Sequence, residues 1–487
     1  MTRAALLLLL LLALALPASP AAALERVRGV VHVHSDLSTG DFSLEGLVGL
    51  ADQQGIGALF LSENFLARVD YSLPPFRALT RVSRGERTVG DPARYLARVA
   101  EVRARLPHVL LIPGVEVVPH YYWTGSPFAL DMTVHNVQKN LLVFGLTDPR
   151  ALAALPVVGN GQSGAYTVQS IADALPSLLV VPGIVLLARR RTVRQRLGRG
   201  AVVVVQRRAW GLGLVLCVLG VTAVVRGWPF TSDGLGTARD LGAAPYQALI
   251  DRVDALGGVT VWSLPEARDI GEQQVGPVRV SWLTEPYADD LLRTFRYTAF
   301  GAVYEDTSTF EQPGGSWDRL LGEFVRGERS RPAWALAESA FHGHTAGKQV
   351  GPIQTVFLAT EKSDAAVLDA FRRGRMYAVQ RTPQLGLDLT EFSATAGDVT
   401  VGMGETLQAP AGTPVEVRIA VDASDGGRHD VRVSLIRNGR IEALERGATP
   451  HRSVRREIAD GTPLVLRVEA RAAQAQRVLS NPIFVKP

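Results

Sequence analysis

Short apolar segments alternate with amphipathic ones along most of the chain. Apolar runs that suit buried strands lie at residues 27–33, 56–61, 109–117, 141–146, 259–262, 333–337 and 353–359. Apolar positions with helical spacing occur at residues 44–54, 95–106, 246–256, 317–326 and 364–373. Strands that alternate with helices predict an α/β fold around a parallel sheet, either open or closed into a barrel.

From about residue 385 the pattern changes to short strands without a long helix. Apolar and polar residues alternate at residues 415–421, 430–436, 463–470 and 482–485. Turn sequences separate these runs, for example Asp425-Gly426-Gly427 and Asn438-Gly439. The pattern predicts an all-β, immunoglobulin-like sandwich over residues 384–487.

The first 23 residues have the pattern of a secretory signal peptide. Arg3 precedes an unbroken apolar run at residues 4–16, and small residues at 21–23 offer a cleavage site. The alternative is an uncleaved amino-terminal anchor, for which the apolar run is short. We therefore predict that the residues after position 23 are exported.

Two further apolar runs interrupt the α/β pattern, at residues 174–188 and 209–225. Each is close to the length that crosses a bilayer, and Arg189 and Arg226 lie at ends from which they can reach the headgroups. The runs predict a transmembrane helical hairpin over residues 174–226, with the lipid bilayer as a partner. The alternative is a helical hairpin buried in a soluble core.

Positive charge is concentrated between these two runs. Residues 189–208 contain eight arginines and no acidic residue, whereas the whole chain has a formal net charge of +5. The rest of the chain is therefore slightly acidic, and nucleic acid is not expected as a partner. Because positive loops remain in the cytoplasm, the predicted location is the cytoplasmic membrane, with the main domains on the extracytoplasmic, periplasmic side. Cys217 is the single cysteine, which excludes an intrachain disulfide.

Histidines and carboxylates stand at the ends of several predicted strands. His32-Val33-His34 ends the first strand, Glu116 ends another, and His342 follows a third. Strand ends are where α/β barrels place active sites, and imidazole and carboxylate groups are common ligands of catalytic metals. The candidate metal ligands are His32, His34, Asp41, Glu116 and His342.

These motifs resemble those of the PHP (polymerase and histidinol phosphatase) superfamily of metal-dependent phosphoesterases. The resemblance rests on Val31-His32-Val33-His34-Ser35 with Asp41, Pro113-Gly114-Val115-Glu116, Ser363-Asp364 and Gly374-Arg375-Met376-Tyr377. It implies a distorted (β/α)7, TIM-like barrel over residues 24–383, interrupted by the hairpin, that holds up to three zinc, manganese or iron ions. Such enzymes hydrolyse phosphate esters with metal-activated water. The ending Ser480-Asn481-Pro482-Ile483 resembles the sandwich appended to some bacterial members.

Three positions depart from the family pattern. Asn64 and Leu264 stand where the resemblance implies histidine, and Ala340 stands where it implies aspartate. One implied metal site keeps His32, His34 and Glu116, which is three ligands of four. A second keeps Glu116 but has Leu264 in place of one of its two histidines. The remaining site keeps Asp41 and His342 but has Asn64 in place of histidine. The resemblance therefore implies one divalent ion rather than three.

Lys139 lies nearest to a further position where the family has histidine. Its charge could replace that of a metal ion and hold a phosphate or carboxylate ligand. The simpler interpretation is a solvent-exposed lysine. Among the catalytic candidates, Glu116 is expected to orient metal or water, and His342 is expected to act as acid or base.

Two functions fit these residues. One is a surviving hydrolase that acts outside the cytoplasmic membrane on a phosphate ester or a similar small molecule. The other is a degenerate barrel that binds a ligand or scaffolds an envelope protein complex. A carboxyl-terminal sandwich favours neither function, because a fold alone does not define an activity.

Overall fold

The computed structural model describes residues 24–487 except residues 75, 190, 199, 208–209, 306–307 and 474. The predicted signal peptide at residues 1–23 lies outside the described residues. The α/β character of the longer region and the all-β character of the carboxyl-terminal region, both predicted from the sequence, are confirmed.

The first part of the described chain combines strands with short helices. Its strands are β1 (Glu25–Val33), β2 (Ala58–Leu61), β3 (Glu63–Phe65), β4 (Arg68–Tyr71), β5 (Val82–Gly85), β6 (Leu110–Ile112), β7 (Gly114–Val117), β8 (Tyr122–Ser126), β9 (Asp131–His135) and β10 (Leu141–Phe144). Its helices are α1 (Leu44–Gln53), α2 (Arg77–Thr80), α3 (Pro92–Arg105) and a 3₁₀ turn at Pro127–Ala129.

The middle part is mostly helical and apolar. Its elements are α4 (Pro149–Ala153), α5 (Val168–Ala174), a 3₁₀ segment (Leu175–Leu179), α6 (Val180–Ala188), β11 (Arg191–Leu197), β12 (Ala201–Arg207) and α7 (Trp210–Gly227). The arginine-rich segment between the apolar helices forms an antiparallel pair, β11 with β12.

The α/β pattern then resumes and gives way to strands. The next elements are α8 (Ala244–Ala255), β13 (Val259–Trp262), β14 (Asp269–Val275), β15 (Val278–Thr284), α9 (Ala288–Arg293), β16 (Ala299–Val303), α10 (Ser316–Val325), β17 (Trp334–Phe341), β18 (Ile353–Ala359), α11 (Asp364–Arg373) and β19 (Met376–Gln380). The last strands are β20 (Leu387–Ala396), β21 (Val399–Gly402), β22 (Thr406–Gln408), β23 (Pro414–Ala423), β24 (Asp430–Arg437), β25 (Arg440–Ala448), β26 (His451–Ile458), β27 (Leu464–Ala472), β28 (Arg477–Ser480) and β29 (Ile483–Lys486).

Seven strand positions pair in a closed cycle around the main core. β2 with β3, and β6 with β7, act as single positions that are broken at Ser62 and Pro113. The order is β1, β2/β3, β6/β7, β10, β13, β16 and β17, and β17 pairs with β1 again. Fully buried aliphatic and aromatic side chains of these strands, such as Leu59, Phe144 and Phe300, form one core.

The expectation of a parallel sheet is wrong at one position of the cycle. β10 runs antiparallel to both neighbours, β7 and β13, whereas the other pairings of the cycle are parallel. A parallel neighbour needs a long crossover, usually through a helix. The chain instead reaches β10 from β7 through the antiparallel pair β8 and β9, so it enters β10 from the opposite end.

Two sheets share a second core in the carboxyl-terminal region. One contains β21, β20, β23 and β26, and the other contains β24, β25, β27, β28 and β29. The second sheet is continuous with the longer region, because β28 pairs with β19, which pairs with β18 and so reaches β1. Val356 and Tyr377 of that longer region are buried in the carboxyl-terminal core.

Two helices are long and apolar enough to cross a membrane, Val168–Ala188 with 21 residues and Trp210–Gly227 with 18. Of the most apolar 18 residues in each helix, 11% and 17% are buried. The core helix of a soluble protein is, in contrast, mostly buried. The first helix starts at Val168, six residues before the predicted start at residue 174. The sequence pattern missed these residues because Gln169, Ser170 and Asp173 interrupt the apolar run.

Glycines allow these two helices to pack closely. A β-carbon at Gly213 would lie 2.9 Å from the carbonyl oxygen of Gly183, and one at Gly220 would lie 2.6 Å from the backbone nitrogen of Val180. Helices in membranes associate through such small residues because their backbones can then approach each other.

Candidate metal centre

Three side chains from two strand ends converge on one point. The Nε2 atoms of His32 and His34 lie 3.0 Å apart. His32 Nε2 lies 3.3 Å from Glu116 Oε1, and His34 Nε2 lies 3.4 Å from Glu116 Oε2. One donor atom from each of the three residues can be chosen so that all lie within 4.8 Å of one another. Two imidazole nitrogens and a carboxylate that face one point form a ligand set suited to a divalent metal ion.

The backbone is irregular where these side chains are presented. His32 has a φ of 70°, and the register of β1 shifts there against both of its parallel neighbours. Leu264 (φ 41°) and Ala340 (φ 46°), at the ends of two other strands, share this left-handed conformation. Such conformations cost about 1–3 kcal/mol each for residues other than glycine, and they cluster at functional sites.

Glu338, which the sequence reasoning missed, supports His32 from behind. Its Oε1 lies 2.6 Å from His32 Nδ1 and also accepts a hydrogen bond from Ser263 Oγ. The carboxylate is fully buried, and the backbone N–H of Leu264 donates to its Oε2 at 3.0 Å. A carboxylate on Nδ1 fixes the imidazole so that Nε2 faces the ligand position. The available sequence signal was a single charged residue within the otherwise uncharged strand β17.

A second buried carboxylate orders the loop that follows His34. Glu63 accepts hydrogen bonds from the backbone N–H and the hydroxyl of Ser35, and from the hydroxyl of Ser38. Ser38 Oγ in turn lies 3.4 Å from His34 Nδ1. The serine loop therefore supports the imidazole of His34 on the side away from Glu116.

Asn140 supports Glu116, and the direction of β10 explains how. Asn140 directly precedes β10, and its side-chain Nδ2 donates to Glu116 Oε1. Because β10 is antiparallel to β7, the start of β10 lies beside the end of β7. The exception to the parallel sheet thus places an amide donor at the candidate centre.

The position of His32 between two carboxylates determines its protonation. Burial lowers the pKa of His32, but Glu116 and Glu338 outweigh this effect and raise the pKa to about 9. Burial raises the pKa of Glu116, yet His32 and His34 hold that pKa well below its usual range. A metal ion bound at Nε2 of His32 would therefore take the place of a proton.

His342 lies beside this set. Its ring stacks on that of His34 with centroids 4.0 Å apart, and its Nδ1 lies 3.0 Å from Thr39 Oγ1. Burial, followed by the charges of His34 and His32, lowers the pKa of His342 to about 3. The imidazole is therefore uncharged at neutral pH.

The carboxylate of Asp41 is hydrogen-bonded to Thr345 and not to the three converging groups. Its carboxylate accepts hydrogen bonds from the hydroxyl of Thr345 at 2.6 Å and from the backbone N–H of Thr345 at 2.8 Å. These bonds lower the pKa of the exposed Asp41 carboxyl. Its backbone N–H donates to the carbonyl of His342, so the main chain of Asp41 adjoins the loop that carries His342.

The residues at the departing positions have other partners. Asn64 Nδ2 donates to Glu86 Oε2 at 2.9 Å and to Thr39 Oγ1 at 3.2 Å. The side chain of Leu264 offers no ligand atom, and its backbone N–H is bonded to Glu338. These positions therefore add no imidazole to the centre.

Lys139 is buried, so its interpretation as a solvent-exposed lysine is wrong. Its ammonium forms an ion pair with Asp290 and lies 4.5 Å from the ring centroid of Tyr246. The lysine is drawn inward because Asp290, on α9, is itself buried. Asp290 therefore compensates the charge of Lys139, the residue that directly precedes Asn140.

The chain matches no protein-family model and no curated protein. Among solved structures, it is similar to a two-domain protein from Bacteroides vulgatus that contains a predicted PHP-like metal-dependent phosphoesterase. That match has 11% identity, covers 92% of this chain and 90% of the other, and has a TM-score of 0.37.

Two further matches cover about two thirds of this chain. One is an amidohydrolase from Chromobacterium violaceum, at 13% identity over 66% of this chain and 89% of the other, with a TM-score of 0.28. The other is a candidate metal-dependent phosphoesterase from Bifidobacterium adolescentis. It has 12% identity over 65% of this chain and 87% of the other, with a TM-score of 0.25. With TM-scores this low, the likenesses add no weight to the geometry of the centre.

Proposed function

We propose that the chain binds one divalent metal ion through His32, His34 and Glu116 and hydrolyses a phosphate ester. The supporting observation is the convergence of the two Nε2 atoms and the Glu116 carboxylate, whose distances are 3.0–3.4 Å. Three protein ligands with an open fourth position are the usual arrangement of a catalytic zinc ion. Zinc, manganese or iron would each suit this donor set, and the absence of imidazole at Asn64 and Leu264 favours one ion over three.

The side chains around the centre would then have distinct roles. A bound divalent ion would lower the pKa of coordinated water and polarise a phosphoryl oxygen. Glu338 keeps Nε2 of His32 directed at the ligand position, and Asn140 fixes Glu116. His342 is uncharged at neutral pH and is a weak base because its pKa is lowered to about 3, so it would contribute a neutral hydrogen-bonding ring beside the centre rather than a charge.

Activity measurements test this proposal. The full chain in detergent is assayed against a panel of phosphate monoesters and diesters with added zinc, manganese or iron, beside Glu116→Gln and the matched control Glu328→Gln. Glu328 is a glutamate that is mostly exposed on the surface. Metal-dependent hydrolysis that falls at least 100-fold in Glu116→Gln and is unchanged in Glu328→Gln is expected. Equal turnover in all three proteins would contradict the hydrolase proposal.

We also propose that the closed cycle of strands is a distorted (β/α)7 barrel, spanning residues 24–383, that is tethered to the outer face of the cytoplasmic membrane. The two exposed apolar helices would cross the bilayer, and the arginine-rich pair of strands between them would lie in the cytoplasm. Residues 384–487, with two sheets around one core, would form the appended sandwich.

Cysteine labelling in whole cells tests this orientation. In a Cys217→Ser background, Gly198→Cys lies between the two helices and Leu444→Cys lies on an exposed carboxyl-terminal strand. A membrane-impermeant maleimide should label position 444 in cells with a permeabilised outer layer. It should label position 198 only after the cells are lysed. Labelling of position 198 in intact spheroplasts would contradict the topology.

One observation favours a second candidate, a binding or scaffolding protein without catalysis. A protonated His32 between Glu116 and Glu338 compensates their charges without a metal ion. Folded protein that takes up no metal in the presence of excess zinc, manganese or iron would support this candidate.

A further inference from the structure

A polar cavity of about 460 Å³ lies at the end of α1, beside the segment that leads from β19 to β20. Three segments line it, the last turn of α1, the loop from β17 to β18, and the strap from β19 to β20. Its polar lining includes Gln53, Gln54, Lys348, Gln349, Arg381 and Thr382. None of the lining residues is acidic, so the cavity has two cations, several amides and no anion of its own.

Arg381 is a half-buried guanidinium that shares the carboxylate of Asp388 with Arg28. It and Arg28 are both close to Asp388, but Asp388 already accepts two hydrogen bonds from Arg28, at 2.7 and 2.9 Å. In the described parts of the chain, no carboxylate forms an ion pair with Arg381. Burial, and then the charge of Arg28, lower the pKa of Arg381. Two guanidinium groups thus share one carboxylate, and the second of them lines the cavity.

Lys348 supplies a second cation from the loop that carries His342. Its ammonium donates to the carbonyl of Ser339 at 3.1 Å, and its ion pair with the exposed Glu305 is 3.2 Å long. A lysine ammonium has three donors, so one remains for another acceptor. The last turn of α1 adds about half a negative charge at most, which is smaller than the charge of the Arg381 guanidinium.

We propose that this cavity binds the oxyanion group of a small molecule, a phosphate or a carboxylate. Arg381 would hold the oxyanion through its planar fork, Lys348 would add a point charge, and the glutamine amides would donate hydrogen bonds. The site is separate from the three converging groups of the candidate metal centre. Its closeness in sequence to His342, through Lys348, makes it a place where a bound anion would steady the β17–β18 loop.

Titration calorimetry on the full chain in detergent tests the proposal. Inorganic phosphate and acetate are titrated separately into wild type, Arg381→Gln and Lys348→Gln. The matched control is Arg446→Gln, which removes an exposed arginine on β25. Each titration is repeated in a His32→Ala/His34→Ala background, which removes the candidate metal centre and leaves the cavity intact.

Saturable binding of one anion is expected, weakened about tenfold or more by each cavity substitution, because each removes a charged hydrogen-bond donor. Arg446→Gln and the double histidine variant should bind like wild type, whether or not the metal proposal holds. The arm that binds identifies phosphate or carboxylate as the ligand chemistry. Absence of saturable binding of both anions to folded wild type, or binding that both cavity variants retain, would overturn the proposal.

Discussion

Gly301 shows how closely the residues around the candidate centre depend on one another. A β-carbon at this position of β16 would lie 2.0 Å from Oε2 of Glu338. The absence of a side chain on one strand therefore makes room for the buried carboxylate on the next strand, and that carboxylate holds His32.

Gly301→Ala should therefore destabilise the protein and weaken metal binding together. Overpacking of this kind costs about 1–3 kcal/mol. The control is Gly49→Ala on α1, where a β-carbon meets no neighbour and replacing a helical glycine gains about 0.5–1 kcal/mol. Thermal unfolding and metal content are measured for both. An undiminished metal content in Gly301→Ala would show that Glu338 does not depend on this space.

Metal affinity should continue to rise at pH values where an ordinary histidine has already lost its proton. Because the pKa of His32 is raised to about 9, a metal ion must displace its proton at any lower pH. Apparent zinc affinity, measured with a competing chelator, should thus increase about tenfold per pH unit toward pH 9 and then level off.

Glu338→Gln provides the control for this pH dependence. It removes a negative charge that raises the pKa of His32 and retains an acceptor for Nδ1–H. The affinity should therefore level off at a lower pH in this variant. Wild-type affinity that is already constant above pH 7.5 would contradict the charge arrangement described for His32.

At the residue scale, the sequence indicated three side chains that the structure brings together, and it missed those that depend on distant contacts. His32, His34 and Glu116 could be grouped because each stands at a strand end. Glu338 contacts His32 across 306 positions of sequence, and no local pattern reports such a contact. Lys139 was misplaced for the same reason, since its burial depends on Asp290.

The elements follow the apolar pattern closely, but the pattern contains no strand direction. Periodicity predicted a strand at residues 141–146 and not that β10 would run antiparallel, because both directions bury the same side chains. It also missed the pair β14 and β15, in which Thr284 is the one fully buried residue. A strand that buries little has no strong apolar signal.

The packing of the two apolar helices can be tested at this scale. Gly213→Val should disrupt the packing of α7 against α6, because its β-carbon would lie 2.9 Å from the Gly183 carbonyl. Gly211→Val, two residues away on the same helix with open space around it, controls for helix propensity and bulk. Thermal unfolding in detergent should show a lower midpoint for Gly213→Val than for Gly211→Val. Equal midpoints would contradict close packing of the helix pair.

At the scale of the whole molecule, buried ion pairs and a shared sheet join the carboxyl-terminal strands to the longer region. Arg467 on β27 donates twice to Asp318 on α10, each time at 2.7 Å, and its side chain is fully buried. Asn481 bonds both backbone groups of Ala335, on β17. The sequence pattern predicted two kinds of region but not this continuity, which depends on pairing between β19 and β28.

Arg467→Met should therefore destabilise the whole protein. Removing one partner leaves Asp318 buried and uncompensated, which costs about 3–5 kcal/mol. Arg452→Met is the control, because its pair with Asp422 is largely exposed and such pairs contribute about 0–1 kcal/mol. Guanidinium unfolding midpoints compare the two. A similar small shift in both variants would show that the Arg467 pair does not join the two regions.

Metal content tests the proposed function most directly. The full chain is purified in detergent, incubated with zinc, manganese or iron, passed through a desalting column and submitted to elemental analysis. Beside it are His32→Ala/His34→Ala and the control His108→Ala/His429→Ala, which removes one exposed and one partly exposed histidine outside the centre. About one metal ion per chain in wild type and in the control, and none in His32→Ala/His34→Ala, is the expected result. Folded wild type that retains no more metal than His32→Ala/His34→Ala would contradict a metal-dependent activity at this site.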